Sequence, residues 1–291
     1  MENKDLGKSE TLENHDEQYI WRFEPFLSFL HILVILSFIA LAVTGMTIKF
    51  SGVGIFQFAS KLMGGYEVTG FIHRFAAIIT FAYFILHIGY LIKKVTKEKR
   101  SYKHMFSGEN SMVPNKRDLT EFIGTIKWFF GVGKRPDYGR WTYWEKFDYF
   151  AVFWGITVIG SSGLLLWFSE FFTGLGLPGW LINVATIVHS DEALLATGFI
   201  FTIHFFNTHF RPDKFPMDNV IFTGRVPLEE FKKDRPREYQ ILVDTNKLES
   251  RLAPPPPEWL VKGARIFGFT ALITGLIIVV MIIYSMIFLY R

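Results

Sequence analysis

The sequence predicts an all-α fold, an integral membrane bundle of five transmembrane helices. Half of the 291 residues are apolar, and the 32 phenylalanines and positive mean hydropathy exceed what a soluble domain of this size usually carries. Five segments approach the roughly 20 apolar residues that a bilayer-spanning helix needs. Basic residues flank these segments, as they do in membrane proteins. A lipid bilayer is therefore the expected environment, and nucleic acid is excluded as a partner.

The five predicted spans differ in the charge that they carry. The second span contains Arg74, the fourth contains Asp191 and Glu192 near its start, and the other three are uncharged. Their predicted bounds are 25–48, 68–92, 149–168, 181–208 and 266–290. Residues 119–130, which lie between the second and third spans, alternate apolar and polar positions at helical spacing. This pattern predicts a helix in the membrane interface or an ordinary loop helix.

The distribution of basic residues predicts the orientation of the chain. Residues 93–146 hold 13 Lys and Arg and residues 211–265 hold 11, against two in residues 49–67 and none in residues 169–181. Because Lys and Arg accumulate in cytoplasmic loops, we expect the N-terminus inside and the C-terminus outside. The chain is expected to begin with an acidic N-terminal segment (1–24), followed by a four-helix core (25–210) that contains a basic cytoplasmic loop (93–146). A cytoplasmic loop with a Pro-rich linker (211–265) and a fifth helix (266–291) complete it.

Five histidines fall inside the predicted spans: His31, His73, His87, His189 and His204. Fourteen residues turn a helix through 1400°, so the two histidines of the second span share one face, roughly 21 Å apart along the axis. In the fourth span, His189 and His204 are 15 residues apart, which corresponds to about 60° in azimuth and roughly 22 Å in height. Two helices therefore carry imidazoles at two matching depths. By the loop charges, His73 and His189 lie near the outer surface.

Paired imidazoles at two depths are what two stacked b-type haems with two axial histidines each require. Cysteine is absent, so iron–sulfur clusters with thiolate ligands and CxxCH-attached haem are excluded. Gly155, Gly160 and Gly163 supply small side chains for a haem slot, although glycine is common in membrane helices. Arg74 either neutralises a haem propionate or reaches the lipid head groups. A single metal ion is disfavoured, because the paired histidines are too far apart to converge on it.

Several stretches of the chain resemble the membrane cytochrome b subunits of respiratory formate dehydrogenases, Ni-Fe hydrogenases and thiosulfate reductases. They are RFEPFLSFLHILVILSFIALAVTG, HRFAAIITFAYFILH, EKFDYFAVFWG, HSDEALLATGFIFTIHFF and FTGRVPLEEFKKDRPREY, within residues 21–240. The resemblance implies two haems b, a quinone site near the inner haem and a redox partner subunit. That partner would be a dehydrogenase, a reductase, or a multihaem or iron–sulfur protein. It also implies the cytoplasmic (inner) membrane of a prokaryote. The acidic N-terminus and the fifth span lie outside the resemblance.

The predicted function is electron transfer between a quinone pool, menaquinone or ubiquinone, and that partner within a quinone-linked oxidoreductase complex. Quinone chemistry needs protons, and the candidate carriers are Glu145, Asp148 and Glu192. Each has an alternative structural role. A haem-free transporter and a structural anchor for a soluble enzyme are the competing functions.

The sequence offers three histidines for two inner axial positions. His73 and His189 are expected to hold the outer haem. At the inner haem, the resemblance implies His31 with His204. The 15-residue spacing in the fourth span keeps His87 open as the partner of His204 instead. His15, His104 and His209 lie outside the spans or at their edge and are predicted not to be ligands.

Overall fold

The computed structural model describes residues 18–97, 108–212 and 214–289. Within these residues, five helices are long and apolar enough to cross a membrane: α1 (Pro25–Lys49), α3 (Tyr66–Lys97), α5 (Tyr143–Trp167), α7 (Trp180–Phe210) and α11 (Glu258–Phe288). The all-α prediction with five membrane helices is confirmed. His15, His104 and most of the acidic segment 1–24 lie outside the described residues.

Shorter elements connect the long helices. The connecting helices are α2 (Gly54–Leu62), α4 (Lys116–Phe129), α6 (Ser169–Gly174), α8 (Val220–Thr223), α9 (Leu228–Asp234) and α10 (Pro236–Asp244). The strands β1 (Tyr19–Trp21), β2 (Arg225–Pro227) and β3 (Leu252–Ala253) form an antiparallel sheet in the order β2-β1-β3.

Two of the long helices begin earlier than their apolar segments. α5 starts at Tyr143 because Thr142 and Glu145 form a capping box, in which the Thr142 backbone N–H donates to Glu145 Oε2 at 2.8 Å. α11 starts at Glu258, directly after the run of four prolines that ends at Pro257. Both extensions add polar turns at the same end of the bundle, so hydropathy alone misses them.

The two ends of the bundle differ in what they carry. At the loop end, α1, α5 and α11 begin and α3 and α7 end, and the three-stranded sheet and long loops join them. At the turn end, short connections through α2 and α6 link the helices.

The fifth membrane helix, α11, packs against other helices of the bundle. A core cluster joins α1, α2, α7 and α11 through Ala42, Met46, Phe50, Val53, Phe56, Phe201, Phe205, Leu272, Ile278 and Ile282. A Cβ atom at Gly275 would lie 2.3 Å from Phe201 Cδ1. Only glycine therefore allows α11 to approach the part of α7 that contains Phe201 this closely.

A network of charged side chains ties the loop end together. Arg22, which follows β1, lies 3.2 Å from Glu238 of α10 and 3.4 Å from Glu145 of α5. Arg140 and Arg235 pair with the same two carboxylates, at 2.8 Å from Glu238 and 2.9 Å from Glu145. Burial lowers the pKa of Arg22 to about 10; Arg235 acts in the same direction, and the two carboxylates oppose it. This network fixes the sheet to the start of α5.

The loop helix α4 presents its apolar side away from the rest of the chain. Its polar side pairs with neighbouring elements: Asp118 with Lys146 at 2.9 Å and Glu121 with Arg237 at 3.0 Å. The exposed apolar residues are Leu119, Phe122, Ile123, Ile126, Trp128, Phe129, Phe130 and Val132. This polarity favours the interfacial alternative for residues 119–130.

Candidate functional site

Two histidines meet inside the turn-end half of the bundle. The ring centres of His73 on α3 and His189 on α7 are 6.1 Å apart, and the ring planes are inclined by 76°. Imidazoles bound to opposite sides of one metal ion with bonds of about 2 Å have ring centres on the order of 6 Å apart. The observed separation therefore fits a pair of axial ligands on one iron.

Hydrogen bonds determine which nitrogen of each ring carries the proton. His189 Nδ1 lies 2.9 Å from the backbone oxygen of Ile159, which can only accept, so Nδ1 donates. His73 Nδ1 lies 2.9 Å from Thr44 Oγ1, whose own proton is directed to the Ala40 oxygen at 2.6 Å. His73 therefore also donates through Nδ1. In both rings Nε2 keeps the lone pair that an iron ligand needs.

Two glycines make room for these rings. A Cβ atom at Gly163 on α5 would lie 2.9 Å from His189 Cε1, and one at Gly45 on α1 would lie 3.3 Å from His73 Cε1. Of the three glycines predicted to line a slot, Gly163 thus contacts a histidine. All three line the cavity that contains these histidines. A Cβ atom at Gly160 would lie 3.1 Å from Phe81, and one at Gly155 would have only Ile159 of its own helix nearby, at 3.9 Å.

At the loop end, His204 of α7 has the same tautomer with a different partner. Its Nδ1 lies 3.0 Å from Asp148 Oδ2 of α5, and a carboxylate can only accept, so Nδ1 donates and Nε2 keeps its lone pair. A carboxylate behind a metal-binding imidazole fixes the ring and raises its basicity. Asp148 was predicted as a quinone or proton candidate. In the structure it orients the predicted haem ligand.

The helix around His204 is not regular. Residues Ile200–His204 and Phe206–Phe210 form π-helical turns, and a π-turn contains one residue more than an α-turn. One inserted residue makes the 15-residue spacing from His189 equivalent to 14 residues of α-helix, about 40° short of four turns. The sequence prediction assumed a regular helix and placed the two imidazoles about 60° apart. The π-turn therefore removes the reason to aim His204 at His87.

His31 and His87, the two candidate partners of His204, have different contacts. His31 of α1 lines the same cavity as His204 and His209. His87 of α3 has its Nε2 atom 2.8 Å from the Tyr149 hydroxyl. The nitrogen that would bind iron is thus already in a hydrogen bond. This hydrogen bond disfavours His87 and leaves His31 as the candidate partner of His204.

All five predicted histidines line one cavity, together with His209, which was predicted not to be a ligand. The cavity has a volume of about 2050 Å³ and extends between the loop end and the turn end. This is roughly twice the upper volume of a typical small-molecule pocket. Large planar groups at two levels would fit its size. His209 Nδ1 is buried and has no hydrogen-bond partner within the described part of the chain.

The remaining predicted site residues lie near the cavity with different surroundings. Glu145 caps α5 and pairs with Arg22 and Arg235, contacts that favour a structural role. Glu192 and Arg74 line the cavity at the turn end, where Arg74 is exposed. Neither forms an ion pair with any residue that the structure describes. Asp191 is exposed and pairs with Lys49 at 3.0 Å.

Sequence reasoning missed the groups that orient the imidazoles. The Ile159 carbonyl belongs to the backbone, so no residue type in the sequence indicates it. Threonine and tyrosine are common in membrane helices. Only the packing of the helices brings Thr44 to His73 and Tyr149 to His87. A polar residue at the same predicted depth as a histidine on a neighbouring span was the one signal available.

Comparison with protein families supports this interpretation. Residues 10–108 match the sequence model of the family described as prokaryotic cytochrome b561, and this stretch contains His31, His73 and His87. No curated protein matches the chain. The predicted resemblance to membrane cytochrome b subunits is confirmed, and the match supports haem b as the cofactor. The chain is thus a multi-pass membrane haem b electron-transfer cytochrome, similar over residues 10–108 to the prokaryotic cytochrome b561 family.

Proposed function

We propose that the chain binds two haems b and transfers electrons through them between a quinone and a redox partner subunit. His73 and His189 would hold the turn-end haem, and His31 and His204 would hold the loop-end haem. The observation that carries this proposal is the shared hydrogen-bond pattern of His73, His189 and His204, which leaves Nε2 of each ring free beside the cavity.

The haems supply one-electron chemistry when bound, and the protein supplies their positions and surroundings. Thr44 and the Ile159 carbonyl hold the turn-end rings through neutral groups, whereas Asp148 holds His204 through a carboxylate. The carboxylate favours the oxidised, more positively charged iron relative to a neutral acceptor. The two sites would therefore have different potentials.

The proposed orientation follows from the loop charges. The loop end, with 13 and 11 basic residues in its two long loops, faces the cytoplasm. The C-terminus, after the fifth span, is outside, and the membrane is the inner membrane of a prokaryote. A reporter fused after Arg291 should behave as periplasmic in a bacterium. Cytoplasmic behaviour of that fusion would contradict the orientation.

The quinone step is tested with the purified chain in detergent. Decylubiquinol and menadiol are each mixed with the oxidised protein, and the haem α-band is followed in a stopped-flow spectrometer. We expect at least one quinol to reduce haem in the absence of any partner. If dithionite reduces the haems and neither quinol does, the quinone part of the proposal is contradicted.

A further inference from the structure

Polar side chains form a row between the bundle interior and the surface of the loop end. The row begins at Tyr149 of α5, whose hydroxyl lies 2.8 Å from His87 Nε2. The His87 ring stacks on Tyr90 one turn further along α3, with ring centres 6.4 Å apart and planes inclined by 23°. The Tyr90 hydroxyl accepts a hydrogen bond from Lys94 Nζ at 3.1 Å.

The row ends at an exposed ion pair. Lys94 Nζ donates to Glu24 Oε1 at 3.3 Å, and the two side chains are 39% and 59% exposed. The cavity is lined by all five residues of the row, Glu24, His87, Tyr90, Lys94 and Tyr149. The step without a direct hydrogen bond lies between Tyr90 and His87. A water molecule in a polar, roomy cavity can bridge such a step.

The proposed haem sites do not include the residues of this row. His87 is not needed as an axial ligand, because its Nε2 atom bonds Tyr149. An ionisable side chain such as His87 inside a membrane bundle indicates a functional site by default. The position of its partner is also informative, since Tyr149 directly follows Asp148, whose carboxylate bonds His204. Adjacent residues of α5 thus contact the loop-end ligand and the start of the row.

We infer that Tyr149, His87, Tyr90, Lys94 and Glu24 form a proton path between a quinone bound beside the loop-end haem and the aqueous phase at the loop end. This inference rests on the proposed function. Oxidation of one quinol to a quinone releases two electrons, which pass to the haems, and two protons, which leave along the path. Quinone reduction takes up two of each by the reverse route.

The test compares Tyr149→Phe and Lys94→Met with Lys93→Met in the full chain. Lys93→Met removes the same charge from the adjacent position of α3, and Lys93 is not part of the row. For each variant we measure haem content, binding of a fluorescent hydroxyquinoline N-oxide as a quinone analogue, and haem reduction by the quinol that reduces the wild type.

We expect Tyr149→Phe and Lys94→Met to keep their haems and to bind the analogue, while quinol-driven haem reduction slows by about tenfold or more. Lys93→Met should behave as the wild type. Rates within about twofold of the wild type in both path variants, or an equal loss in Lys93→Met, would overturn the path. Loss of analogue binding in Tyr149→Phe would also overturn it, because Tyr149 would then hold the quinone. A wild type that no quinol reduces contradicts the proposed function instead.

Discussion

The two ends of the bundle hold their histidines through different chemical groups. At the turn end, two imidazoles face each other and are held by a hydroxyl and a backbone carbonyl, both neutral. At the loop end, a carboxylate holds His204, and His31, His87 and His209 lie in the same half of the cavity. The turn end thus has the groups for one electron carrier. The loop end has additional polar groups that can exchange protons.

Under the proposed function, the sequence alone leaves one assignment of axial ligands at the turn end and two at the loop end. Two histidines at the turn end match two axial positions, so no choice remains. The loop end has more imidazoles than axial positions, and hydrogen bonds decide among them.

Removal of a turn-end ligand should have the largest effect. His189→Ala leaves one axial position empty, so we expect loss of one low-spin haem or its conversion to high spin. His87→Ala should retain both low-spin haems, because its Nε2 atom already bonds Tyr149. Electron paramagnetic resonance with haem quantification distinguishes these outcomes. Loss of a low-spin signal in His87→Ala would assign the loop-end haem to His87 rather than His31.

A side chain at Gly163 should weaken the turn-end site selectively. Gly163→Ala introduces a Cβ atom 2.9 Å from His189 Cε1, so the ring must move, at a cost of about 1–3 kcal/mol. We expect partial loss of the turn-end haem and a full loop-end haem. Gly155→Ala is the matched control, since its nearest neighbour is Ile159 at 3.9 Å. Equal haem content in the two variants would show that Gly163 does not shape the site.

Neutralising the carboxylate behind His204 should change a potential without removing a haem. Asp148→Asn keeps a hydrogen-bond acceptor for Nδ1 but loses its charge. We expect the midpoint potential of the loop-end haem to rise by roughly 60 mV, the one-electron equivalent of a tenfold change in equilibrium. The turn-end potential should stay unchanged. A redox titration in which both potentials shift equally would contradict separate sites.

Glu145→Gln should have the smallest effect on the haems. The side chain is 26% exposed and pairs with Arg22 and Arg235, so we expect a loss of about 1–2 kcal/mol in the free energy of unfolding. Haem content and quinol-driven reduction should match the wild type. Normal thermal stability combined with slow quinol oxidation would instead assign Glu145 the proton role that the sequence suggested.

Hydrophobic length predicted the five membrane helices, which are confirmed. Histidine spacing predicted two levels of haem ligands, which stays a prediction. The ends of the helices were harder to predict, because Thr142 and Glu145 extend α5 through a capping box that hydropathy does not detect. The π-turn at Ile200–His204 could not be predicted, since it depends on packing rather than on residue type. The same holds for Tyr149, which became relevant only when α5 was found beside α3. Spacing therefore predicts at which depths the imidazoles lie, while the contacts that distinguish residues at one depth are visible only in the structure.

Haem stoichiometry distinguishes a cavity that holds two haems from one that holds one or none. The purified full chain is assayed by pyridine haemochrome against polypeptide concentration, and the same sample is titrated with redox mediators. We predict two non-covalent haems b per chain and two resolved one-electron steps. One haem per chain, or none, would contradict the assignment of two axial pairs in this cavity.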